Sequence, residues 1–159
     1  MLLIELLILC LVLFILCYLA TGTDEKNLKN YMSYPDEVKE KIKEIEEYQG
    51  KYKEKSKILT FIANFLIFSI LFFLASLKTR QDNFIQNFIA LLILGQGLNL
   101  FDLVVIDILW WRNSNRIILS KIHEKALYKN PNEHIESFLR ACLMYLLIAL
   151  IDGYILTLF

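Results

Sequence analysis

An all-α integral membrane protein of four spanning helices is the fold class that the sequence predicts, on three observations. Apolar residues make up 57% of the chain and mean hydropathy is +0.48, against roughly 45 to 50% apolar residues in an ordinary soluble domain. They gather into four runs, at about 1–20, 58–77, 84–111 and 136–159, each long enough for the ~20 helical residues that cross a hydrocarbon core of about 30 Å. Charge collects between the runs, in the connections 21–57 and 112–135, and is sparse in the turn 78–83. One membrane domain over residues 1–159 accounts for the chain. With 17 basic and 17 acidic residues, no charge excess points to nucleic acid.

The first run is read as a retained helix. Its apolar stretch exceeds the about 7 to 15 residues of a signal-peptide core, and no Lys or Arg precedes it. Cys10 and Cys17 lie seven apart on one helix face, and Cys142 sits in the fourth run. An odd number of cysteines without CxxC spacing predicts free thiols that pack as small hydrophobes.

In the first connection, Ser33-Tyr34-Pro35-Asp36 reads as a capping box with an early-turn proline. Val38, Ile42, Ile45 and Tyr52 follow at helical spacing, so a cytoplasmic amphipathic helix of about 20 residues is predicted, docked through its apolar stripe. Glu37 with Lys41, and Glu47 with Lys51, are four-residue pairs that would support its wet face. In the second connection, Ile118, Leu119, Ile122 and Ala126 oppose Lys121, Lys125 and Lys129, which predicts a short interfacial helix ended at Asn130-Pro131-Asn132.

The third run carries the chemistry. Gln96, Asn99, Asp102 and Asp107 interrupt it and fall within an arc of about 140° at α-helical winding. Trp110, Trp111 and Arg112 close the run as interfacial anchors. Measured from Arg112 at ~1.5 Å per residue, Asp107 lies ~7 Å in and Asp102 ~15 Å, near the midplane. An intramembrane carboxylate costs at least about 2.5 kcal/mol and so tends to face protein or a wet cavity. At matching depths, Asn64 of the second run is expected to meet Asp107, and Asp152 of the fourth to meet Asn99 or Gln96. Gly95 and Gly97 would let another backbone or a ligand come close. As a structural alternative, Arg140 pairs with Asp107 and the amides join helices.

The lysine-rich connections place both on the cytoplasmic side: the first has nine lysines, while the short turn has Lys78 and Arg80. Both termini should then be outside. His123, His134 and Glu136 are metal-capable, but neither HExxH nor tetrahedral spacing joins them, so no metal is predicted. No phosphate loop, GxSxG or cofactor motif occurs, and no cofactor is expected.

The run Asn99-Leu100-Phe101-Asp102-Leu103, with Asp107 and Trp110-Trp111-Arg112, resembles a segment of small uncharacterised four-helix membrane proteins of bacteria, over roughly the second half of the chain from Gly95. The resemblance implies a bacterial inner-membrane protein and no activity. Three functions are weighed. The leading one is a homo-oligomeric channel or transporter-like protein, or an accessory subunit of a larger membrane complex, that handles a proton, cation or small solute along the polar face. The second is an interaction or immunity-type protein with structural carboxylates. The third is an enzyme on a lipid-like substrate using His134, Glu136 and Asp107.

Overall fold

A computed structural model describes residues 2–158; Met1 and Phe159, the ends of the first and fourth runs, lie outside the described residues. The chain is 79% helical, with no strand among the described residues. Its long helices are α1 (Leu2–Leu19), α4 (Lys57–Ser76), α5 (Phe84–Phe101), which continues as a π-helix (Asp102–Trp110), and α6 (Asn132–Ile155). All four stretches are long and apolar enough to cross a membrane. The short helices α2 (Asp24–Lys29) and α3 (Asp36–Glu44) lie in the first connection. The residues divide into two compact units: Met1–Leu11 with Ser56–Phe101 and Phe138–Phe159, and Val12–Lys55 with Asp102–Ser137.

In the first unit, α4 starts at Ser56, whose hydroxyl accepts from the Leu59 N–H. Asn83 does the same for α5 by accepting from Ile85 N–H at 2.8 Å, so each helix satisfies one of its orphan N-terminal donors. Asn87 closes the turn before α5: its side chain bonds both the N–H and the carbonyl of Gln81, at 2.8 and 2.7 Å. The interior is built from Leu91, Leu94 and Leu98 of α5, Phe72 of α4, and Tyr145, Ile148 and Ala149 of α6. Phe72 stacks on Tyr145 at 5.5 Å. Glycine sets how closely two helices approach: a Cβ on Gly95 would lie 2.8 Å from Tyr145 Cβ, and one on Gly153 3.1 Å from the Phe88 backbone. Outside this interior the surface is apolar. Leu3, Ile4, Leu7, Ile8, Ile58 and Leu59 are all more than half exposed, and only 6% of the apolar windows of α1 and α4 is buried. A soluble monomer rarely shows such surface, and stretches this long and apolar are compatible with membrane spans.

The second unit has its own core, with Leu28, Tyr34, Val38, Ile42, Trp111, Ile117, Leu119, Ile122 and Tyr128 packed together. The two connections therefore fold on each other. Val38 and Ile42 do dock, as their spacing predicts, but against the second connection. The helix from Pro35 runs nine residues, not about 20, and no capping box forms: Pro35 stands at the N-cap without a side-chain bond. The helix ends at Ile45, the Gln49 amide donates to the Lys43 carbonyl, and Gly50 turns the chain at φ +74. A helix absent from the sequence reading, α2, is capped by Thr23.

The predicted interfacial helix is also absent: only 3-10 turns form at Asn115–Ile117 and Lys125–Lys129. Ile117 and Leu119 are both buried, a two-residue step that extended chain satisfies and a helix would place on opposite sides. Tyr128 replaces the helical bonds, its hydroxyl accepting from Leu119 N–H at 3.2 Å and donating to the Ile122 carbonyl at 3.0 Å. The expected four-residue ion pairs give way to pairs between the connections, Lys41 with Glu124 at 2.7 Å and Glu47 with Lys121 at 3.2 Å.

Arg116 finishes α1. Its guanidinium lies over the Tyr18 ring at 3.9 Å and donates to the carbonyls of Tyr18 and Thr21 at 3.2 and 3.0 Å, a cation placed where a helix C-terminus favours one. Gly22 is required here, since its φ is +106 and a Cβ would lie 2.6 Å from Arg116 Nη2.

Candidate functional site

The winding of the third run decides where its carboxylates go. Asp107 stands five positions after Asp102; on an α-helix that step turns them about 140° apart. The segment is instead a nine-residue π-helix, whose i→i+5 bonding puts between about four and five residues in each turn and brings the two positions to one side. Asp102 and Asp107 are accordingly within electrostatic reach of each other, and Asp102 is within reach of His134. π-Helices are rare, usually confined to one turn, and frequent at functional sites. Asn113 closes this one by donating to the Leu109 carbonyl at 2.8 Å.

His134 occupies the first turn of α6 and is 7% exposed. Its Nδ1 lies 2.9 Å from Asp107 Oδ1, with the two side chains 8% and 15% exposed. Next to it in sequence, Glu133 accepts from the buried Lys39 at 2.5 Å, and Lys39 also reaches the exposed Asp36 at 3.2 Å. These contacts hold α3 and the start of α6 together and fix the backbone from which His134 projects. The Trp111 ring stands edge-on to the imidazole at 5.8 Å and to one side of Tyr34 at 5.8 Å. Trp111 is thus an interior residue, 6% exposed, and not the outward-facing anchor that its place in the sequence suggests. Its Nε1 is enclosed and has no hydrogen-bond partner among the described residues. Trp110 packs against Phe14 at 5.6 Å and Tyr18 at 6.3 Å. The Cys17 thiol, free and half-buried, feels both carboxylates.

Asn64, Gln96, Asn99, Arg140 and Asp152 fall in the first unit. Gln96 donates to the Cys142 carbonyl at 2.9 Å, and Asn99 donates to the Phe138 carbonyl at 3.2 Å and to the Cys142 sulfur at 3.3 Å. Asp152 does not take Gln96 or Asn99 as its partner: it accepts from Ser69 of α4 at 2.7 Å, while its Oδ2 is enclosed without a partner among the described residues. Asn64 is exposed on α4, Arg140 is half-buried on α6, and Glu136 is exposed. His123 is exposed as well. No three His, Cys, Asp or Glu side chains gather as a metal-holding group among the described residues. The Asp107–His134 contact escaped sequence reasoning because 27 positions separate the two, with no motif between them.

Outside the runs, Asp24 fastens α2 to the second connection. It accepts from Ser120 N–H at 2.9 Å, from the Ser120 hydroxyl at 2.5 Å, and from Tyr48 at 2.7 Å. Burial opposes its ionisation, yet these hydrogen bonds and the charge of Lys121 outweigh it and hold the carboxyl below its ordinary value. Tyr34 donates to the Ile117 carbonyl at 2.7 Å, and burial pushes its phenol well above the usual range.

No protein-family model, curated protein or solved structure matches this chain.

Proposed function

We propose that this chain is a multi-pass membrane protein that takes up and releases protons at Asp107, His134 and Asp102. The observation that carries the reading is the 2.9 Å contact between Asp107 and the buried His134 imidazole, made from a π-wound segment that brings a second carboxylate within electrostatic reach. Imidazole has two nitrogens. With Nδ1 against Asp107, a proton arriving at Nε2 can be matched by one leaving Nδ1 toward the carboxylate. Ionisable groups within spanning segments commonly serve such relays. In this reading the protein resides in a bacterial cytoplasmic membrane with its lysine-rich connections inside. It works as a homo-oligomer, because four spans are few for a monomeric transporter.

Proteoliposomes holding a pH-sensitive dye and an imposed potential test the proposal. Wild-type protein is expected to dissipate the gradient, while Asp107→Asn and His134→Phe are expected to abolish most of the flux. Flux no greater than in protein-free vesicles, or equal flux in all three proteins, would overturn it.

A second reading, an interaction protein whose polar groups only hold helices together, is supported by the first unit, where Gln96, Asn99 and Asp152 each bond a neighbouring helix. It loses one of its surfaces, because Val38 and Ile42 are fully buried. Flux at the level of empty vesicles would favour it. An enzyme using His134, Glu136 and Asp107 has less support, since Glu136 is exposed while His134 is buried.

A further inference from the structure

A cavity of about 180 Å³ opens in the second unit where the third run ends. Its lining includes Arg112, Asn113, Ser114, Lys125, Tyr128 and Lys129 and contains no carboxylate. Elsewhere in this unit Lys39, Lys41, Lys43 and Lys121 each face a glutamate within 3.2 Å. Among the described residues Arg112, Lys125 and Lys129 have no such partner. Arg112 Nε is enclosed and lacks a hydrogen-bond acceptor among the described residues, a costly condition for a charged donor. Three cations lining one cavity beside amide and hydroxyl donors, in a space of roughly six water volumes, have the size and chemistry for a tetrahedral oxyanion.

We propose that this cavity binds a phosphate group. Arg112 supplies the planar fork that matches two phosphate oxygens, and Lys125 and Lys129 add compact charge. The site lies at the ends of two candidate spans, Phe84–Asn113 and Lys125–Leu158, the level at which lipid headgroups meet protein. A lipid headgroup and a soluble phosphate share this chemistry, and the test separates them. It does not depend on the proton-handling reading, since none of the lining residues belongs to the Asp107–His134 pair.

The protein is placed in nanodiscs of phosphatidylcholine alone or of phosphatidylcholine with phosphatidic acid. Native mass spectrometry counts retained lipid, and tryptophan fluorescence follows a titration with inorganic phosphate. Retention of phosphatidic acid over phosphatidylcholine identifies a lipid site. Saturable binding of inorganic phosphate in the neutral discs identifies a soluble one. In either arm the double variant Lys125→Gln/Lys129→Gln, both exposed positions whose loss leaves the core intact, should weaken binding by about tenfold or more. Binding in neither arm, or binding that the double variant and Arg112→Gln leave unchanged, would overturn the proposal.

Discussion

Replacing His134 with phenylalanine should destabilise the second unit more than replacing Asp107 with asparagine, although the two residues share one contact. Phenylalanine keeps a ring beside Trp111 but removes the 2.9 Å contact to Asp107. It leaves two acidic groups, Asp102 and Asp107, sharing an interior without their base. Losing a hydrogen bond to a charged group costs about 1.5 to 3 kcal/mol, and stranding one member of a buried pair moves the loss to about 3 kcal/mol or above. Asparagine at 107 retains an oxygen that can accept from Nδ1, and Asp102 remains in electrostatic reach of the imidazole, so its cost should be about 1 kcal/mol. Adding Asp102→Asn to the His134→Phe protein removes the like-charge conflict and should restore about 1 kcal/mol. Urea unfolding of the detergent-solubilised protein, followed by tryptophan fluorescence, compares the wild type with the three variants. The chain has two tryptophans, both in this unit, and Trp111 lies 5.8 Å from the site. Equal losses for the two single variants, or a further loss when Asp102→Asn is added, would refute the arrangement.

The Lys39–Glu133 pair should also respond unevenly. Lys39→Met strands Glu133, whose only partner among the described residues is Lys39, and should cost about 3 kcal/mol, whereas Glu133→Gln leaves Lys39 its contact with Asp36 and should cost about 1 kcal/mol in the same urea assay. In the first unit, Gly95→Ala should destabilise by about 1 to 3 kcal/mol through collision with Tyr145. Gly97→Ala should cost less, because its new methyl meets only the movable end of the Leu6 side chain; thermal unfolding in detergent compares the two. Asp24 predicts a pH dependence. Its carboxyl is held low in the folded state, so its stabilisation is present at neutral pH and fades as pH falls below about 4 and through the folded value. Asp24→Asn should lower stability at pH 7 by about 1 kcal/mol, discounted for its partial exposure, and flatten the wild-type loss in an acid titration of the unfolding midpoint.

By itself the sequence determined the helical class, the four apolar stretches and the position of the charged connections, because run length and composition suffice for these. It also marked which polar residues are unusual. Val38 and Ile42 were legible as a docking face from their four-residue spacing. What they dock on was not, since spacing describes one side of a contact. The tertiary structure decided the partners. Asp107 was matched in sequence to Arg140 or Asn64 by depth along ideal α-helices, and the π-winding of 102–110 removes the assumption behind that match. Asp152 meets Ser69 because of how α4 and α6 pack, and Trp111 is interior because two connections distant in sequence fold over it. Local periodicity reports which residues prefer to be buried. Which of them share an interior depends on contacts between segments more than 90 residues apart, as between Lys39 and Glu133 at 94, and those exist only once the chain has folded.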